Sequence, residues 1–293
     1  MSLIEKALDK ARAVSMTPAP AAQVDTAATT ARQRALQMPP SRVAANPDIR
    51  ITEAMLEALG LRAPPKQEHQ RVSEFRHIKR DLLGEIRAGK ANRIIAVASA
   101  LAGEGKSFSS ANLARSIALE PDYSVLLIDA DVTNPRISAA LGLLGRKGLM
   151  NSLTEPDCNV ESLILTTDIE GLSVLPAGVS HENATEHLAS EKMRVLLRLL
   201  QHDPSRIIVI DTLPLLLTTE ASVLAPLAGQ ILLVVRAEST PQAAVTEAVG
   251  LLGNGVNVKL LLNAVVRTAA SRYAGYGYGY GYHGNYGKRP EGK

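Results

Sequence analysis

From Arg93 onward, short apolar runs alternate with longer segments whose apolar positions return every three or four residues. The runs are IIAVAS (94–99), SVLLID (124–129), LSVLPA (172–177), RIIVID (206–211), QILLVV (230–235) and VKLLLNAV (258–265). Short continuous runs of this kind suit strands buried on both faces. The segments 107–119, 184–201 and 241–252 read as helices between them. This alternation predicts βαβ units with right-handed crossovers, hence a three-layer α/β domain with a mainly parallel sheet. Upstream, SEFRHIKRDLLGEIRAG places Phe75, Ile78, Leu82 and Ile86 on one helical side, and ITEAMLEALGL predicts a short helix capped by Asp48 and stopped at Pro64 and Pro65.

The ends have a different texture. Residues 1–14 set Leu3, Ile4, Ala7, Leu8 and Ala11 on one helical stripe, with Ser2 and Glu5 spaced as a capping box. The following stretch is rich in Ala, Pro, Thr and Gln without periodicity and reads as a linker. After residue 269 come six of the seven tyrosines, Tyr273, Tyr276, Tyr278, Tyr280, Tyr282 and Tyr286, interleaved with glycine. Glycine is costly to order, so this tail is expected to be disordered. The expected divisions are an N-terminal helix (1–14), a linker with a short helix (15–71), the α/β domain (72–269) and the tail (270–293).

Composition narrows the function. Apolar residues make up 46% of the 293, enough for a proper core, while aromatics are only 3% and Trp is absent. Leu, Ile, Val and Ala must therefore fill the interior. A net charge of +3 provides no field that would draw nucleic acid. A lone cysteine, Cys158, excludes an internal disulfide, and neither it nor the histidines show metal-ligand spacing. No secretory leader or membrane-length apolar run is seen, which gives a cytoplasmic expectation, with docking on a membrane-bound partner left open.

The chemistry concentrates at strand ends. Ala102, Gly103, Glu104, Gly105, Lys106, Ser107 and Phe108 join the first run to the first long helix. Backbone N–H groups in such a loop cradle phosphates at a helix N-terminus, a lysine reaches the β- and γ-phosphates, and a serine hydroxyl holds Mg2+. The general pattern opens with glycine, where this chain has Ala100. Asp129 and Asp131 end the second run, where ligands of open α/β sheets bind. Two carboxylates that close repel unless a cation sits beside them or one holds a proton. Asp211 ends another buried run, as expected of a second Mg2+-site carboxylate.

GEGKS (103–107), LLIDAD (126–131) and RIIVIDTLP (206–214), in this order and with the tyrosine-rich tail, resemble the bacterial tyrosine kinases of capsule and exopolysaccharide synthesis. The MSLIEKAL start with its linker looks like the soluble autokinase subgroup of exosortase-linked loci. The resemblance implies ATP and Mg2+ as cofactors. It makes Lys106, Asp129 and Asp131 catalytic, with Asp129 as base or orienting residue; Ser107, Asp131 and Asp211 the metal set; Asn263 an adenine contact; and the six tail tyrosines phosphoacceptors. It implies as partners other copies of the chain and a membrane chain-length regulator, with no nucleic acid.

The chain departs from the family pattern in three places. Thr133 stands where the family has arginine, Asp211-Thr-Leu-Pro replaces D-x-P-P, and Ser73, Arg76 and Lys79 replace E-x-x-R-x-x-R. Two rival readings are a spatial-regulator ATPase without phosphotransfer and a degenerate nucleotide-binding adaptor. Against the first stands Leu101, where partitioning ATPases carry a signature lysine, and against the second stand the intact Lys106, Ser107 and three aspartates.

Overall fold

A computed structural model describes residues 46–217, 224, 227–253 and 255–266, so the expectations for the N-terminal helix, most of the linker and the tyrosine tail lie outside the described residues. The strands are β1 (Ile94–Ser99), β2 (Ser124–Asp129), β3 (Leu165–Thr166), β4 (Leu172–Leu175), β5 (Arg206–Pro214), β6 (Gln230–Arg236) and β7 (Val258–Asn263). They form one seven-stranded sheet in the order β3-β4-β2-β5-β1-β6-β7. Every pairing is parallel except β3 with β4.

The sheet sorts its side chains by parity, as a pleat requires. Ile94, Ala96, Leu126, Ile128, Ile208, Ile210, Ile231 and Leu233 enter one core, and Ile95, Val97, Val125, Leu127, Ile207, Val209, Leu232 and Val234 enter the other. The second core is covered by α2 (Pro65–Arg87), through Phe75, Leu82 and Leu83, and by α3 (Lys106–Ala118), through Leu113 and Ile117. The first is covered in part by α7 (Glu191–Leu200), whose Met193, Leu196, Leu197 and Leu200 are buried. Both faces are therefore covered over the central strands β1, β2, β5 and β6, which is why these read as unbroken apolar runs, while Leu260 and Leu262 of the edge strand β7 stay exposed.

Several element boundaries differ from the sequence expectation. The span 184–201 is two helices, α6 (Ala184–Leu188) and α7, because the Ser190 hydroxyl accepts the Met193 N–H at 3.3 Å and starts a new helix. Helix α2 begins eight residues before Ser73, since Pro65 sits at its first position, where a missing N–H costs nothing. The short α4 (Arg136–Ala140), α5 (Leu149–Thr154) and strand β3 have too few residues to show a period. The predicted helix after Asp48 is α1 (Glu53–Ala58), capped by Thr52 rather than Asp48.

Asp48 instead accepts the Thr166 N–H at 2.9 Å and the Thr166 hydroxyl at 2.7 Å, and Ile49 bridges to Thr167. Ile49, Leu59 and Leu61 are buried in the same core as α2, so the part of the expected linker that is described packs on the sheet. Helix α8 (Gln242–Leu251) flanks the β6–β7 end of the sheet.

Candidate nucleotide site

The phosphate loop leaves β1 and enters α3 through Gly105, which caps the helix at φ +98°. A side chain is excluded there twice over. The angle is outside the range open to L residues, and a Cβ would stand 2.1 Å from Asn263 Nδ2. Gly103 also has positive φ, at +79°. Ala100, where the general pattern has glycine, does not have positive φ and is fully buried. Its methyl fits, so this departure leaves the loop intact.

The loop is braced from outside. Glu104 is buried, accepting the Leu101 N–H at 2.8 Å through Oε2 and the Thr240 hydroxyl through Oε1. Asn263, at the end of β7, donates to the Glu104 carbonyl at 2.8 Å, and Arg236 donates to the Gly103 carbonyl at 3.0 Å. Lys106 is 7% exposed and Ser107 lies beside it at the mouth of the loop. Ala102, Gly103, Gly105, Lys106, Ser107, Phe108 and Asp131 line a cleft of about 560 Å³. Asn263 lines the neighbouring cavity of about 830 Å³, with Phe75 and Phe108.

The three aspartates converge from two adjacent strands. Asp129 and Asp211 are register partners, and the Ala130 N–H donates to the Asp211 carbonyl at 2.9 Å. Both side chains are fully buried. Asp129 Oδ2 accepts the Ser138 N–H at 2.8 Å and the Ser138 hydroxyl at 2.7 Å. Asp211 Oδ1 accepts the Ser110 hydroxyl at 3.0 Å. The other oxygens, Asp129 Oδ1 and Asp211 Oδ2, have no hydrogen-bond partner. Asp131 is the carboxylate that lines the cleft; its Oδ1 accepts the Thr133 hydroxyl at 3.1 Å and the Asn134 N–H at 3.0 Å.

Burial pushes the Asp129 carboxyl up to about 6, against the two Ser138 hydrogen bonds and with help from the Asp131 charge. Burial and then the neighbouring Asp129 push Asp211 up to about 7, with Ser107, Lys106 and Ser110 opposing. Burial also raises Asp131, against its Asn134 and Thr133 hydrogen bonds. A buried acceptor without a donor is rare and costly in a folded protein. Two of them on coupled carboxylates, beside a lysine and a serine hydroxyl, form a donor set suited to a hard divalent cation such as Mg2+.

Some lining residues carry no sequence signal. Glu57, Ala58, Leu59 and Gly60, at the C-terminal end of α1, form one wall of the cleft, and Leu213, Pro214 and Leu217 contribute beyond Asp211. Gly60 is held against the Phe108 ring, and its carbonyl accepts from Arg71 Nη1 at 2.5 Å. Ser110 and Ser138, the donors to the buried carboxylates, look like ordinary helix residues in sequence.

A phosphate loop at the end of a central strand, with carboxylates closing two neighbouring strands of a parallel sheet, defines a P-loop nucleotide-binding protein. A family model described as an AAA domain matches residues 92–262. The chain is 32% identical over 205 residues to the tyrosine-protein kinase CpsD of Streptococcus agalactiae, covering 69% of this chain and 85% of that one. It is 32% identical over 206 residues to the succinoglycan biosynthesis transport protein ExoP of Rhizobium meliloti, covering 69% of this chain but only 26% of that longer one. The kinase domain of VpsO superposes with a TM-score of 0.59 at 31% identity, over 69% of this chain and 100% of that domain. The chain belongs to the bacterial tyrosine kinases, as its motifs suggested.

Proposed function

We propose that this tyrosine kinase transfers the γ-phosphoryl group of ATP to tyrosines of its own C-terminal tail, in trans between copies, and that this cycle controls exopolysaccharide synthesis or export. The observation that carries the reading is the pair of partnerless carboxylate oxygens, Asp129 Oδ1 and Asp211 Oδ2, beside Lys106 and Ser107. A passive nucleotide-binding adaptor has no use for so costly an arrangement.

Ser107, Asp131 and Asp211 would hold Mg2+, which when bound neutralises charge on the β- and γ-phosphates. Lys106 binds the same phosphates, and the backbone N–H groups of 103–108 orient them. Asn263, which already touches the loop, contacts the adenine from the adjoining cavity. The tyrosine oxygen forms its bond to the γ-phosphorus as the bridging oxygen leaves with ADP. The tyrosine proton passes to Asp129 through one intervening water, because Asp129 lies beneath the cleft floor. A carboxyl pushed up to about 6 is still ionised at neutral pH and is a stronger base than an ordinary one.

The six tyrosines of the Gly-Tyr tail support the choice of substrate, since tethering raises the effective concentration of a segment at a neighbouring site toward the millimolar range. Each phosphate adds about −1.5 to −2 charges, so a multiply phosphorylated tail should leave an acidic site and disperse the assembly. The name of the succinoglycan biosynthesis transport protein ExoP supports polysaccharide synthesis as the setting, and the family resemblance implies a membrane chain-length regulator as partner. No helix among the described residues is long and apolar enough to cross a membrane.

The test is the intact mass of the protein after Mg-ATP, beside Lys106→Met and a variant with the six tail tyrosines changed to Phe. Stepwise phosphoryl additions confined to the wild type are expected. ATP hydrolysis without mass gain would move the reading to a spatial-regulator ATPase.

A further inference from the structure

The cleft beside the phosphate loop is lined by residues of two kinds. Lys106, Ser107 and Asp131 are polar, and a triphosphate with its cation uses all three. Leu59, Gly60, Phe108, Leu213, Pro214 and Leu217 are apolar, and a nucleotide does not account for them, because its base is assigned to the adjoining cavity with Asn263. Leu217 is 61% exposed, a large apolar side chain left in water on a cleft that otherwise handles charge.

The apolar walls are held in place, and each lies next to the phosphate and metal residues in the chain. On one side, the Leu215 and Leu216 N–H groups donate to the Ser99 and Ala100 carbonyls at 2.8 and 3.2 Å, and the Leu217 N–H donates to the Pro214 carbonyl at 3.3 Å. These bonds fasten the turn after Asp211 to the end of β1, where the phosphate loop begins. On the other side, Arg115 Nη1 donates to the Leu61 carbonyl at 2.9 Å and Asn112 Nδ2 to the Gly60 carbonyl at 3.4 Å. Gly60 in turn packs on the ring of Phe108, the neighbour of Ser107.

We infer that these walls form the subsite for the aromatic ring of the acceptor tyrosine, with Leu217 as its outer edge. The inference rests on the reading of this cleft as the seat of the triphosphate. A phosphoryl acceptor must bring its oxygen to the γ-phosphorus, so the group that carries the oxygen lies within one side chain's length of Lys106 and Asp131. A tyrosine ring is a large apolar body with one polar tip, and it is best held by apolar walls with the tip at the polar end. The same walls select tyrosine over serine or threonine. A phenol carries its hydroxyl a full ring's length from the backbone. A serine hydroxyl stands one bond beyond Cβ, so the peptide backbone itself would have to enter between the apolar walls and leave its polar groups unpaired there.

The experiment uses the full chain with its six tail tyrosines changed to Ser, so that its own tail does not compete. The acceptors are labelled peptides of residues 271–284 in which Tyr278 is the single tyrosine, or is replaced by Phe or by Ser. Peptide affinity is read by fluorescence anisotropy with Mg2+ and a non-hydrolysable ATP analogue, and KM for peptide and for ATP by phosphotyrosine formation. Leu217→Ala should weaken binding of the Tyr and Phe peptides roughly five- to tenfold and raise KM for the Tyr peptide alike, with KM for ATP within about twofold. Leu217→Met, close in volume, should keep the affinity of the intact cleft. Leu144 is 62% exposed and lies outside the cleft, so Leu144→Ala is the control and should change nothing. The Ser peptide should bind the intact cleft about tenfold more weakly than the Tyr peptide, for want of a ring.

Equal binding of the Tyr and Ser peptides, a Tyr-peptide affinity unmoved by Leu217→Ala, or an equal loss in Leu144→Ala would overturn this inference. With phosphotyrosine still formed, each of these leaves the parent reading standing. No phosphotyrosine on the wild-type chain or on the peptide would overturn the parent reading and this one with it.

Discussion

In the metal-free protein, Asp211 should be a source of instability that grows with pH. Its carboxyl, ordinarily near 3.8, is pushed up to about 7 by burial and by Asp129 alongside. The folded state therefore keeps a proton that the unfolded chain has released. That contribution to stability is fully present below about pH 4 and is lost as pH rises through the folded value near 7. The gap spans about three powers of ten, so at about 1.4 kcal/mol each the ionised side chain costs roughly 4 kcal/mol. Asp129 declines in parallel through about 6, and the two are coupled, so the sum is less than two independent losses.

Asp211→Asn keeps the shape, removes the charge and relieves Asp129. The assay is urea unfolding of both proteins in EDTA at pH 5 and pH 8. Wild type should lose several kcal/mol between the two, and the difference in favour of the Asn variant should widen with pH to about 2–4 kcal/mol. Adding Mg2+ and ADP should stabilise wild type at pH 8, by about 2.7 kcal/mol at a hundredfold excess over Kd, and stabilise the variant less at the same concentrations, since Lys106 and the loop N–H groups still bind the phosphates. If the variant weakens with pH as steeply as wild type, the buried-carboxylate argument is wrong.

Two further outcomes follow from local geometry. Gly105→Ala should lower binding of a fluorescent ATP analogue by tenfold or more, and adding Asn263→Ala should not rescue it, because the backbone strain at φ +98° remains after the contact is removed. Ser190→Ala should cost about 1 kcal/mol in thermal unfolding through loss of the α7 cap, with phosphotransfer unchanged.

What could be read from sequence here is what is local in sequence. Gly103 to Ser107 lie within one turn of chain, and the buried strands announce themselves as unbroken apolar runs because both faces of the sheet are covered. The strand order was not readable in the same way. Nothing in the runs says that β5 inserts between β1 and β2, yet that insertion is what sets Asp211 beside Asp129 and creates the coupled pair. The donors to the carboxylates were invisible for a related reason. Ser110 and Ser138 are polar residues at positions that look exposed until the helices dock, and only docking turns them into donors.

The cleft wall at 57–60 illustrates the same point on a longer scale. Those residues precede the phosphate loop by more than forty positions and read as part of a linker. They reach the site because Asp48 and Ile49 fasten to the β3–β4 edge at Thr166 and Thr167, and because Arg71 and Arg115 hold the Gly60 and Leu61 carbonyls. Gly60 then packs on Phe108, the residue next to Ser107, so tightly that a Cβ would come within 2.5 Å of the ring. The described segment before α2 is thus in direct contact with Phe108, the residue that follows Ser107 of the phosphate loop. Leu59 and Leu61, on either side of Gly60, are buried in the same core as the sheet and α3, so the wall is fastened to the domain at the point where it meets Phe108.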